Sequence, residues 1–163
     1  MKVTSLLAGF LLMTIFGFAQ NTVPQVNVKT LGGQSQSLSE FIKNDKITVL
    51  SFWATWCTPC KKELSAIAEN YDAWKEDLGV EVLAITIDDT RQLSKVPGIV
   101  ETSGWEYTIL CGNQNEMQNA FNFQTIPQTF VIDKDGKIVY THSGYVPGDE
   151  YELEEQLKKI AGK

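Results

Sequence analysis

Seven consecutive residues, Ile47 to Trp53, form an unbroken run rich in β-branched and aromatic side chains, the pattern of a short buried strand. The period then changes. Beyond Pro59, residues Leu64, Ile67, Ala68, Tyr71 and Trp74 recur at the spacing of one helix face, with Lys61, Lys62, Glu63 and Glu69 assigned to its solvated side. Gly79 is expected to end that helix. Val80 to Ile87 is again almost wholly apolar and reads as a second central strand, parallel to the first and covered on both faces.

Elsewhere the pattern is shorter in range. Pro24 to Thr30 alternates as a strand and Leu31-Gly32-Gly33 turns it, while Ser39 to Ile42 suggests one helical turn. Between Thr90 and Ser103 the helical spacing of Val96, Ile99 and Val100 conflicts with Pro97-Gly98, unless Pro97 occupies a first helical turn. Tyr107 to Leu110 reads as a strand, and Asn115 to Phe121 as a short helix that turns Met117, Ala120 and Phe121 inward. Thr129 to Ile132 and Lys137 to Thr141 form a hairpin across Asp133-Lys134-Asp135-Gly136. A calcium loop there lacks its closing Glu, because Gly144 stands in that place. Asp149 is expected to cap a last helix, with Glu152 completing a capping box and Leu153, Leu157 and Ile160 facing inward. This order of elements implies an α/β fold in which a mixed sheet is covered by helices on both sides.

Residues 1–19 read as a signal peptide, with Lys2 as the positive start, Leu6 to Phe18 as the apolar stretch and Gly17-Phe18-Ala19 as the cleavage site. The apolar run is too short for a retained membrane span, so stable membrane insertion is not expected. Residues 20–163 then form one domain, periplasmic or secreted. The formal charge of −6 and the lack of a basic run argue against nucleic acid as a partner. Export also permits disulfides, and three cysteines leave one over. Cys111 is read as a half-buried small residue. His142, on a strand face with Ile138 and Tyr140, is read as a hydrogen-bonded structural histidine.

Trp56-Cys57-Thr58-Pro59-Cys60 concentrates the chemistry, since it falls where the first strand ends and its helix begins. Unpaired N–H groups and the helix dipole favour a thiolate at Cys57, and such settings lower a thiol pKa from about 8.5 toward ~3.5–7.5. Lys61 and Lys62 add positive potential. The two-residue spacer, Thr58-Pro59, brings Cys60 round the first turn, where it can resolve a mixed disulfide formed on Cys57. A structural zinc site would need a second ligand pair, and only Cys111 and His142 remain to supply it.

The run Phe52-Trp53-Ala54-Thr55-Trp56-Cys57-Thr58-Pro59-Cys60-Lys61-Lys62-Glu63, with Ile126-Pro127-Gln128-Thr129-Phe130 and Ile132-Asp133-Lys134-Asp135-Gly136, resembles the thioredoxin-like fold. It is most similar to exported thiol-disulfide oxidoreductases of the TlpA/ResA type. The resemblance implies extra N-terminal strands, an insertion between Asp88 and Cys111, and a cis bond at Ile126-Pro127 beside the cysteines. It also implies that Ile126 binds substrate through its main chain, next to Pro127, while Trp56 lines the docking surface. Thioredoxins carry a buried Asp where this chain has Ser51, so that proton-handling role must lie elsewhere. Asp89, or Asp88, matches an acidic position of some relatives and is the candidate general base, provided desolvation raises its pKa.

These readings point to a reductase of disulfides in exported client proteins, working without metal or organic cofactor and recharged, by analogy, by a membrane electron donor. Two alternatives stay open. One is a peroxiredoxin-like thiol peroxidase, although the Thr-Pro pair lies here between two cysteines. The other is a copper-binding module built from Cys57, Cys60 and His142.

Overall fold

The computed structural model describes residues 22–43 and 45–163, so the expected signal peptide lies outside the described residues. Seven strands form one sheet: β1 Asn27–Thr30, β2 Ser35–Ser37, β3 Ile47–Trp53, β4 Val80–Thr86, β5 Thr108–Cys111, β6 Gln128–Ile132 and β7 Ile138–Ser143. Their spatial order is β2-β1-β5-β4-β3-β6-β7. β3, β4 and β5 run parallel, and β1, β6 and β7 pair antiparallel, so the sheet is mixed. Four α-helices accompany it among the described residues: α1 Thr58–Ala73, α2 Val96–Ser103, α3 Gln114–Phe121 and α4 Asp149–Ala161.

β3 is central because all seven of its side chains are buried, which suits a strand covered on both faces. Its consecutive aromatic residues point to opposite sides. Phe52 meets Phe121, Phe123 and Phe130 on one face, whereas Trp53 meets Trp105 edge-on on the other, beside α1. α1 is the crossover that carries β3 into parallel β4, and a π-helical turn at Trp74–Leu78 extends it. Gly79, at φ 69°, then reverses the chain into β4, a left-handed conformation that glycine adopts without steric cost.

Differences from the pattern-based expectations have local causes. β2 was not anticipated as a separate element, because Ser-Gln-Ser at a sheet edge has no apolar alternation to reveal it. Pro97 does sit in the first turn of α2, which resolves the conflict around Pro97-Gly98. Asp149 is not the cap of α4. Gly148 holds that position at φ 112°, and the Asp149 carboxylate instead accepts the Val146 N–H and faces His142. Glu63 is not on the solvated side of α1 but buried beneath it, with 5% exposure.

Candidate active site

Cys57 is the N-cap of α1, at the carboxyl end of β3, and its Sγ accepts the Cys60 N–H at 3.3 Å. Pro59 occupies the first turn, where its missing N–H has no partner to lose. The two cysteines form a disulfide across a Cα separation of 5.3 Å. Their exposures differ. Cys60 is sealed at 0%, whereas Cys57 keeps 5% and lies between exposed Trp56 and Thr58. Cys57 is the more accessible sulfur of the two.

Beneath the pair lies the residue that sequence reasoning misassigned. Glu63 stands one helical turn beyond Cys60, on the same face, and its carboxylate accepts the Ser51 hydroxyl at 2.8 Å and the Thr129 hydroxyl at 2.9 Å. Burial pushes its carboxyl up to about 7, against the lowering effect of those two hydrogen bonds. α1 thus delivers a carboxylate to Ser51, the strand position at which the resemblance had left an acid missing. The Cys60-x-x-Glu63 spacing, read together with Ser51, was the available signal.

Asp89 does not provide the desolvated base that was expected of it. It is exposed, and the Arg91 side chain beside it, with the Gln92 and Arg91 backbone N–H groups, holds its carboxyl below the usual range. Asp88 is the buried one of the two and ties the loop in place. Its carboxylate accepts the Thr55 N–H at 2.8 Å, the Thr55 hydroxyl at 2.9 Å and the Thr86 hydroxyl at 2.6 Å. Lys61 adds a clamp by donating to the Thr55 carbonyl at 2.9 Å.

With this geometry in place, comparison with known proteins is decisive. A family model described as the AhpC/TSA family matches residues 19–141. The chain belongs to that family. It is 31% identical over 140 residues to the thiol-disulfide oxidoreductase ResA of Geobacillus kaustophilus, covering 86% of this chain and 76% of the relative. ResA of Bacillus thuringiensis subsp. konkukian is 34% identical over 137 residues, covering 84% and 75%. Among solved structures, a thioredoxin-like protein from Porphyromonas gingivalis superposes with a TM-score of 0.77 at 34% identity, over 88% of this chain and 94% of that one. StoA from Bacillus subtilis gives 0.63 at 26% identity, over 83% and 97%. The fold is thioredoxin-like, and the protein is a thiol-disulfide oxidoreductase of the ResA type.

The remaining candidates occupy different parts of the fold. The Ile126–Pro127 bond is cis, as the resemblance implied, and the Ile126 carbonyl oxygen lies 3.9 Å from Cys57 Sγ. Trp56 is 61% exposed beside the same sulfur, so the indole, Cys57 and the Ile126 main chain share one edge. Cys111 is half-buried at the end of β5, and burial pushes its thiol up, away from reactive thiolate character. His142 is hydrogen-bonded, with Nε2 3.1 Å from Asp149 Oδ2 and Nδ1 3.4 Å from the Tyr140 hydroxyl. Both ring nitrogens are thereby engaged. Among the described residues, no group of three or more His, Cys, Asp or Glu side chains is arranged to hold a metal.

Proposed function

We propose that the protein acts after export, in the periplasm or outside the cell, and reduces disulfides in client proteins. The observation that carries this reading is the asymmetric sulfur pair over Glu63, with one sulfur at the surface edge and the other enclosed above a buried carboxylate near neutrality. The Cys57 thiolate attacks a client disulfide, forming a mixed disulfide and releasing one client thiolate. Glu63 then takes the Cys60 proton. The Cys60 thiolate attacks Cys57 Sγ, the bond between Cys57 and the client breaks, and the second client sulfur leaves with the electron pair. The client gains two electrons, and the Cys57–Cys60 pair loses them. A membrane electron donor returns the pair to the dithiol state.

Client docking is assigned to Trp56, Pro127 and the Ile126 main chain, the last pairing with the client backbone as an added strand would. The reducing direction follows from the spacer. Thr58-Pro59 places no cation between the sulfurs, whereas strong oxidants depend on an unusually stabilised reduced form.

Trapping tests the cycle. Cys60→Ser is expected to accumulate mixed disulfides with client proteins, and Cys57→Ser to form none and to lose disulfide reduction altogether. The measured potential of the pair is expected below that of protein disulfide isomerase, about −180 mV, and a higher value overturns the reductase assignment. Rapid peroxide consumption by Cys60→Ser, with Cys57 retained, would favour the peroxidase alternative instead.

A further inference from the structure

The face of α1 that turns away from the sheet carries charges that the helix itself leaves unused. Lys62 is exposed, and the positions three and four residues from it are Thr58, Pro59, Ser65 and Ala66, none of them acidic. Glu69 is exposed further along, and its corresponding neighbours, Ser65, Ala66, Asp72 and Ala73, include no base. Among the described residues neither side chain enters a salt bridge. Their spacing puts both on one side of the helix, about 10 Å apart along its axis.

Both line an open groove of about 580 Å³. Small side chains, Ser65 and Ala66, lie between the two charges, and Tyr145 and Pro147 line the groove from the loop between β7 and α4. The groove begins at Thr58, the residue after Cys57. Its opposite wall follows Gly144, whose N–H donates to the Pro127 carbonyl at 2.9 Å. It therefore continues the edge shared by Cys57 and the Ile126–Pro127 segment. The other charged groups in it are already committed. Lys61 donates to the Thr55 carbonyl, and Glu150 accepts the Tyr145 hydroxyl at 2.8 Å and the Gly148 N–H at 2.9 Å.

We propose that this groove holds the client chain beside its disulfide, extended, with an acidic side chain against Lys62 and a basic one against Glu69. The inference rests on the client docking at Cys57 described above. Geometry sets the spacing. Cys57 and Lys62 are about 7–8 Å apart along α1, which an extended chain rising roughly 3.3 Å per residue covers in about two residues. Lys62 to Glu69 takes about three more. The fitting client segment is a cysteine with an acid two residues away and a base three beyond that. Because the two ends of the groove carry opposite charges, it selects the order of charges in the client, not their sum.

Two synthetic peptides, each disulfide-linked to a copy of itself through a single cysteine, test that order. One carries Asp two residues from the cysteine and Lys three beyond it, on both flanks, and the other exchanges Asp and Lys. Reduced protein reacts with either in the same way. A bond forms between Cys57 Sγ and one peptide sulfur, the peptide disulfide breaks, and the other peptide leaves as a thiolate. Each rate constant is divided by that for bis(2-hydroxyethyl) disulfide, which is neutral and too short to reach Lys62, so a change in the reactivity of the sulfur itself cancels. The peptide with Asp nearer the cysteine is expected to react about fivefold faster at low ionic strength, and the difference to close at about 0.5 M salt. Lys62→Glu combined with Glu69→Lys is expected to reverse the preference. Equal rates for the two peptides overturn the groove assignment, as does a preference that the double variant keeps. A dimer of the protein that dissociates on Lys62→Glu gives the groove to a second copy of the chain and overturns it too. When bis(2-hydroxyethyl) disulfide still reacts, only the groove assignment has failed. Loss of reaction with all three disulfides brings down the disulfide-exchange reading beneath it as well.

Discussion

Because burial raises the Glu63 carboxyl to about 7 from 4.5, the folded chain holds a proton between those pH values that the unfolded chain has already released. The folded state binds more protons there, so stability falls as pH rises through the window and is level above it. The size follows from the shift, about 3 kcal/mol for a group this enclosed. Glu63→Gln keeps the volume and removes the ionisation, so it is expected to abolish that part of the pH dependence. Urea unfolding of the oxidised protein at pH 5 and pH 8 checks it, and an equal fall in both proteins would exclude Glu63 as the source. The reactive sulfurs were legible from their spacing together with its strand-to-helix context, because a helix start after a strand fixes their environment. Glu63 was not, because charge type was allowed to decide its side of α1. Its angular position, shared with Cys60 and Ile67, is what the fold obeys.

At the scale of elements, the strand-to-helix junction needs more than a favourable sequence to keep Cys57 in place. Thr55 precedes the motif by one residue, and its N–H and hydroxyl both end on Asp88, two residues beyond β4. The Cys57 N–H turns back onto the Ala54 carbonyl at 3.0 Å, and the Ile87 N–H onto that of Trp53 at 2.9 Å. Asp88 therefore fastens the loop between β3 and α1 to the end of the neighbouring strand. Asp88→Ala strips the partner from two Thr55 donors and from the Thr86 hydroxyl, at an expected cost of about 2–4 kcal/mol in unfolding free energy. Urea titration checks this, and a loss below about 1 kcal/mol would mean that the loop is held by other contacts. The elements themselves were readable where burial is two-sided, and β3 falls on the residues its apolar run marked. They were obscured where partners are supplied from elsewhere. Polar β2 is recruited by β1 alone, and α4 starts on a glycine because Asp149 is occupied with His142.

Across the whole molecule, redox state and folding stability are two readings of one cycle. If the folded chain makes its disulfide harder to reduce than the same Cys-x-x-Cys in the unfolded chain, the oxidised protein must by the same amount be the more stable form. Each 30 mV of that difference corresponds to about 1.4 kcal/mol. The site leans in that direction. Cys57 Sγ receives a single described hydrogen-bond donor, the Cys60 N–H, and no spacer cation supports its thiolate. Cys60 is enclosed above a carboxylate that disfavours a second negative charge. The helix start favours a thiolate at Cys57, so it is at enclosed Cys60 that reduction introduces an ionisable group where the fold gives negative charge little support. The oxidised protein is accordingly expected to melt above the reduced one, by about 2–4 °C for each kcal/mol in a chain of this size. Parallel thermal scans under oxidising and reducing conditions measure the order directly. A reduced form that melts higher would place the pair on the oxidant side of the cycle, with Cys57 accepting electrons from client thiols rather than delivering them to client disulfides.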